Sequence, residues 1–467
     1  MNSTKDAIHG SDCRQTYSPI SNLFPELLSL IFEICLSNDE TALNPPLKHI
    51  RMIMPRVSSR WRAVSHSTSK LWSDITLDLP LGPLRIEPHS SAMFRRSELL
   101  KTWIARSAEQ PLTIVLRRPD AYSTDYKLCD WLPAARHLIS TLLPHAERWK
   151  SLTVHLPLPS LVPLFERFDG ALPLLETIDI HDPGHWVGRH VPETISQARF
   201  PNAPRLRNVS LVCPHTTLHM GDAAWSRLTT LKLIPPSEPR SSPISTSDAA
   251  HILARCTSLE SCFLGIGAQE AVEINEAAIE VMPKWTELEL MMGASQCRVL
   301  LRMLELPKLT KLAVLKDWDQ NALVSFLGRL TRLESFAMRD TFRITDTQQL
   351  EIIGRLPKVR SLSLAGPVGW KTLRALTPLV GVDSDEWELS CPHLTSLQLR
   401  AHDDAHDKAL GDMIEARWRG GFEGVSKMES VHIDFNASAI RSWRGVLARL
   451  DEFREEGLKV SYAIFRD

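Results

Sequence analysis

The sequence lacks a surplus of charge: 54 Lys and Arg stand against 55 Asp and Glu, for a formal net charge of −1. Phosphate neutralisation needs a concentrated positive surface, so nucleic acid is not an expected partner. No apolar run approaches the roughly 20 residues of a membrane span, so no membrane partner is expected. The opening Met-Asn-Ser-Thr-Lys-Asp-Ala has no apolar core of the kind a signal peptide needs. None of the eight cysteines (Cys13, Cys35, Cys129, Cys213, Cys256, Cys262, Cys297 and Cys391) forms a CxxC pair. That removes the usual zinc and redox motifs. Scattered single cysteines read as small buried apolar residues of a reducing compartment, and the expected location is cytoplasmic, nuclear or both. Tyrosine is scarce as well, at 4 residues, whereas Trp reaches 13 and Pro 31.

Hydrophobic residues at 43% and charged residues at 23% are ordinary for a folded soluble chain. Residues 1–19 are polar and mixed, and read as a disordered tail. From there the pattern sharpens. Asn22 is a candidate N-cap, and Pro25 followed by Glu26 suits a first helical turn. Leu27, Leu28, Ile31, Phe32, Cys35 and Leu36 then recur at three- and four-residue spacing, which is helix periodicity. A loop carrying Pro45-Pro46 leads to a second helical stretch over 55–65, with Val57, Trp61 and Val64 on one face. Trp72 opens an extended segment through Ile75 and Leu77.

The order Leu-Phe-Pro-Glu-Leu-Leu at 23–28, Val57-x-x-x-Trp61-Arg62, then Leu71-Trp72 resembles the F-box as it occurs in mushroom-type fungi. Further pieces are similar to the same group. They are Leu99-Leu100 with Trp103-Ile104 leading into Pro111-Leu112-Thr113-Ile114, and Leu143-Pro144 with Trp149-Lys150-Ser151-Leu152. Phe24 and Ser58 stand where the family more often has Leu or Pro and Cys. The resemblance implies an N-terminal helical F-box that packs on the Skp adaptor of a cullin–RING ubiquitin ligase. It marks Leu23, Pro25, Leu27, Leu28, Ile31 and Phe32 as adaptor contacts, with Trp61 and Trp72 as anchors. Elementary packing agrees, because some fifty residues this rich in large apolar groups hide only part of them within themselves.

From residue 149 a figure recurs: apolar-x-x-apolar-x-apolar. It begins at Trp149/Leu152/Val154, runs through nine further units, and ends at Met428/Val431/Ile433. The eleven units are spaced by 22 to 35 residues; Trp72/Ile75/Leu77 and Pro111/Ile114/Leu116 also fit. A Pro stands two residues before the figure at 173, 204, 283, 307, 357 and 392, and three residues after it at 157, 183, 214, 236 and 367. Pro stops helices and holds the preceding residue extended, so it punctuates strands. Helical spacing fills 249–256, 297–304, 322–330 and 348–356. Strand, turn and helix at this period mark a leucine-rich-repeat-like solenoid. Only Asn436 holds the Asn or Cys such repeats carry, so the repeats are degenerate. The expected fold is α/β: a disordered tail 1–19, an F-box over 20–77, a connector over 78–148 with room for first irregular repeats, and an irregular, curved β/α solenoid over 149–467.

In such strands the residues between the figure's positions face the concave side. Ser151, Thr153, His155, Thr177, Asp179 and His181 come first, less polar ones follow, and Arg339, Arg400, His432 and Asp434 come last. Lys232, Phe263, Glu289 and Met291 form the expected substrate-binding patch, apolar with a charged rim. Two insertions, at 235–247 and an acidic one at 381–391, read as surface loops.

Catalytic fragments fail on inspection. His181 and His185, near His190, have Pro183 and Gly184 between them, which break the helix that an i,i+4 metal pair needs. The His and Asp residues at 402–407 stand where acids suit a helix start. Gly265-Ile266-Gly267 lacks the third glycine, its place held by Glu270. Ser67 and Lys70 lie inside the F-box match, and no GxSxG occurs. The expectation is a non-enzyme without cofactor: the substrate receptor of a Skp–cullin–F-box ligase, presenting an unknown protein for ubiquitination. The alternative is a protein-interaction scaffold with no ligase role.

Overall fold

The computed structural model describes residues 19–37, 50–78, 89–117, 128–168, 170–182, 197–200, 202–213, 217–234, 244–267, 284–316, 318–339, 344–364, 366, 368–378, 389–401, 407–436 and 443–465. Three helices come first: α1 (Pro25–Ser37), α2 (Ile50–Val57) and α3 (Ser59–Ser67). Strands and helices then alternate. They begin with β1 (Asp74–Asp78), α4 (His89–Arg106), β2 (Leu112–Arg117), α5 (Leu128–Leu142), β3 (Trp149–His155), α6 (Val162–Phe168) and β4 (Thr177–His181). Next are β5 (Gln197–Arg199), β6 (Asn208–Val212), β7 (Thr217–His219), α7 (Asp222–Trp225), β8 (Thr230–Ile234), α8 (Thr246–Arg255) and β9 (Ser261–Gly265). Then come β10 (Glu287–Met292), α9 (Ala294–Met303), β11 (Lys311–Lys316), α10 (Gln320–Arg329), β12 (Ser335–Arg339), α11 (Asp346–Ile353) and β13 (Ser361–Leu364). The series closes with α12 (Trp370–Leu376), β14 (Ser396–Ala401), α13 (Asp407–Arg419), β15 (Ser430–Asn436), α14 (Arg444–Glu455) and β16 (Lys459–Phe465).

All strands but β5 and β7, which pair with each other, form one 14-stranded sheet in chain order, and every pairing in it is parallel. Helices α8 to α14 pack each against the next on one side. Strands sit about 4.8 Å apart and packed helices about 8–10 Å apart, so such a stack bends with its strands inside. The fold is a solenoid-like α/β stack. The figure's last two apolar positions point inward and align across the sheet: Leu152 with Ile178, Val209, Leu231 and Cys262, and Val154 with Ile180, Leu211, Leu233 and Leu264. One continuous core runs from Leu28 to Leu458.

A tight turn precedes many of the figures. The N–H of Leu175 donates to Leu172 O (3.2 Å), and the same bond recurs at Leu206, Leu309, Val359 and Leu394. Pro173, Pro204, Pro307, Pro357 and Pro392 each hold the second place of such a turn, where a fixed φ near −65° fits. Pro283, Pro183, Pro214, Pro236 and Pro367 lie outside the described residues. One residue past the figure's first position, a backbone bond to the preceding repeat carries the register ahead of the strands, as from Glu176 N–H to Lys150 O (2.8 Å) and Glu334 N–H to Thr310 O (2.8 Å).

The sheet starts at β1, so the repeat takes up the room that the expected connector left for it. The structure departs from the sequence reading in three places. Helix α1 starts at Pro25 after a 3-10 turn over Pro19–Asn22, which removes Asn22 from the cap position. The single helix expected over 55–65 is two: Ser58 breaks it, its hydroxyl accepting from Trp61 N–H at 3.1 Å as the cap of α3. Strand β16 escaped notice because Gly457, at φ +104°, stands where its figure would need an apolar residue.

Candidate interaction surfaces

Helix α1 is apolar on two opposite faces. Leu28 (0% exposed) and Phe32 (1%) turn inward, where the Phe32 ring meets the half-buried Trp61 at 4.9 Å. Leu27, Leu30, Ile31 and Ile34 fall one, three or four residues apart on the other side and are exposed. Phe24, at 71% the most exposed large apolar residue among the described ones, precedes them, and Ile53 and Val57 on α2 are exposed too. Pro25 is exposed, and Leu23 is half-buried with its carbonyl accepting from Arg60.

The eight expected adaptor contacts therefore divide. Leu27, Ile31 and Pro25 are open to a partner, and Leu23 and Trp61 partly so. Leu28, Phe32 and Trp72 are corrected to private core. Trp72 is 1% exposed, its indole N–H donates to Ser65 O (2.7 Å), and the Arg106 guanidinium lies 4.5 Å from its ring centroid. An indole so enclosed has no face left for a partner. Sequence reasoning missed Phe24, Leu30, Ile34 and Ile53. The signal was present, since a surface helix normally shows one apolar stripe and α1 carries two.

The N-terminal helices are locked onto the first repeat. Arg51 of α2 is 4% exposed, donates to the carbonyl of Asp74 on β1 and lies 3.8 Å from its carboxylate. Trp72 and Trp103 approach to 6.4 Å.

On the inner sheet face, Lys232, Phe263 and Glu289 stand side by side on β8, β9 and β10, as expected. The Lys232 ammonium lies 5.5 Å from the Phe263 ring centroid, and Glu289 pairs with Arg339 at 3.3 Å. Met291 shares their face but is only 7% exposed, between Gly265 and Leu315, so it is corrected to a covered position. Same-face neighbours on strands about 4.8 Å apart are close enough to cover a thioether. Toward β1 the face becomes a polar network. His155 Nε2 lies 3.2 Å from Asp179 Oδ2, and the His155 and His181 rings meet edge-on at 5.2 Å. Burial would raise the Asp179 carboxyl, but hydrogen bonds from His155 and Ser210, with the charge of Lys232 nearby, hold it below its ordinary value. Toward β16, His432 bridges Asp434 (3.0 Å) and Ser461 (2.7 Å).

Among the described residues no group of three or more His, Cys, Asp or Glu side chains is arranged to hold a metal ion. His185, His190, Glu270, residues 402–406 and most of both insertions lie outside them, as do residues 1–18 of the expected tail 1–19. Ser67 donates to Val64 O and Lys70 pairs with Glu33, so that pair is spent on packing α3. A cleft of about 740 Å³ between α4 and α5 includes Lys101 and Arg148, but these pair with Glu98 and with Ser107 and Gln110. No described helix is long and apolar enough to cross a membrane. No family model matches the chain, and no curated protein matches it.

Proposed function

We propose that the chain is an F-box substrate receptor: α1 to α3 dock on a Skp-type adaptor, and the sheet stack presents a protein to a cullin–RING ubiquitin ligase. One observation carries the reading. Of the twelve large apolar residues exposed among the described residues, eight lie between positions 20 and 57. An apolar patch concentrated in one short helical segment is what a protein partner covers. The resemblance of residues 23–72 to the F-box points to the adaptor as that partner. Such a receptor does no chemistry; it raises the concentration of a bound protein near the ubiquitin-charged enzyme. Lys232, Phe263 and Glu289 are the proposed contact for that protein.

Co-expression with a Skp adaptor and sizing-column analysis test the first step. Wild type is expected to elute as a one-to-one complex, and Leu27→Asp with Leu30→Asp to elute alone with an unchanged melting temperature. A wild-type chain that ignores the adaptor overturns the reading. Cullin-dependent ubiquitination of captured proteins then separates a ligase receptor from the scaffold alternative.

A further inference from the structure

The two ends of the sheet are finished differently. At the β1 end, helices α1 to α3 continue the core, and Arg51 occupies the Asp74 carbonyl. From β1 to β15 the two inward rows are closed, the most exposed member being Leu77 at 5%. At β16 they open. Tyr462 lies beside Ile433 and Ile464 beside Phe435, both 0% exposed, yet Tyr462 is 42% and Ile464 57% exposed.

The backbone of β16 is open as well. Lys459 N–H donates to Glu429 O, on the β15 side. Backbone groups alternate sides along a strand, so Val460, Tyr462 and Ile464 aim their N–H and C=O at the open edge. Natural edges are protected by proline, bulges or inward charge. Lys-Val-Ser-Tyr-Ala-Ile-Phe has none of these, its one charge standing at the start. Among the described residues its guards are Lys459 at the start and Arg454, which donates to Val460 O (3.2 Å) and lies 5.3 Å from the Tyr462 ring.

We propose that this edge is a self-association surface, where a second copy of the chain adds its own β16 antiparallel across a two-fold axis. The sequence of β16 is complementary to itself in that register. With Tyr462 on the axis, the edge-facing residues meet as hydrogen-bonding pairs: Tyr462 with Tyr462, and Val460 with Ile464. On the inward side every contact is apolar on apolar. On the other side Ser461 meets Ala463 and Lys459 meets Phe465, with no like charges opposed. The two Val460 residues, and the Arg454 side chains upon them, stand about 14 Å apart at roughly 3.4 Å per residue, beyond a Debye length at physiological salt. The Val460 carbonyl has a second lone pair for the partner strand. A two-fold pair uses the β16 edge of both copies, so the association closes at two rather than growing into a filament.

Sedimentation velocity of the full chain across a wide concentration range tests this, independently of adaptor binding. The expected mass at high concentration is twice the 52.7 kDa protomer. Ile464→Lys should restore the single mass. So should Tyr462→Pro, which deletes an edge-facing N–H and leaves the bonds to β15 in place. Both variants should keep the wild-type circular dichroism, and Leu30→Asp at the opposite end should still dimerise. A wild type of single mass throughout leaves the edge to a different occupant and overturns the proposal. So does a dimer that survives both β16 variants or is lost in Leu30→Asp.

Discussion

Neighbouring residues on α1 have opposite fates. Leu27 and Leu28 are chemically identical and adjacent, yet the first is 48% exposed and the second 0%. Local pattern marks both as apolar helix positions and cannot choose between them. The same contrast separates Trp72 from Leu30. Trp72→Ala empties a closed site and is expected to cost about 3–5 kcal/mol in denaturant unfolding. Leu30→Asp should stay within about 0.5 kcal/mol and act on binding instead. Acidification tests Asp179. Its folded-state pKa lies below the unfolded one, so its contribution is complete above the ordinary carboxylate range. It is lost as pH falls through that range to the depressed value. Asp179→Asn should flatten that part of the stability–pH curve, and an unchanged slope would deny the His155 and Ser210 bonds their role. Cys256 and Cys391, their thiols pushed up to about 12 by burial, should resist alkylation in the native chain, whereas the half-buried Cys35 should react first among the described cysteines.

Elements are joined by devices that pass from one repeat to the next. Asp346, in the first turn of α11, accepts from the N–H groups of Lys371 (2.8 Å) and Thr372 (3.0 Å) and from the Thr372 hydroxyl (2.7 Å). It thereby caps α12, whose own cap position is Gly369. Glycine is required there by space, since a Cβ would lie 2.1 Å from the Asp346 carboxyl carbon. Asp346→Ala is expected to cost about 1 kcal/mol, as a lost helix cap does. Gly369→Ala should cost at least as much through the clash. Thermal unfolding of the two variants checks both, and a stable Gly369→Ala would show that the two helices shift apart easily. The strands of the large sheet up to β15 and the helices α8 to α11 were legible beforehand because their signals are local: period two, period 3.6 and proline turns. This cap was not, because its two halves lie 25 residues apart.

At the scale of the whole molecule, the described residues share one core from α1 to β16. Helices α1 to α3 pack at the β1 end, so the buried face of α1 and its proposed binding face lie opposite each other. Disrupting the inner face should therefore loosen β1 and β2 as well. Amide exchange of the monomeric chain should be slowest in the middle strands and fastest at β16, where one neighbour and part of the apolar cover are missing. Uniform protection through β16 would mean that the edge is already covered in the single copy.

By itself the sequence determined the alternation of strand and helix up to β15 and the residues that line each inward row. These follow from spacings of two to four residues and from proline's fixed geometry, which act before any tertiary contact forms. Tertiary structure alone decided which side of α1 stays open, that Trp72 and Met291 are covered, and that Tyr462 and Ile464 on β16 are exposed. Burial depends on what packs against a residue from distant parts of the chain, and no local spacing carries that information.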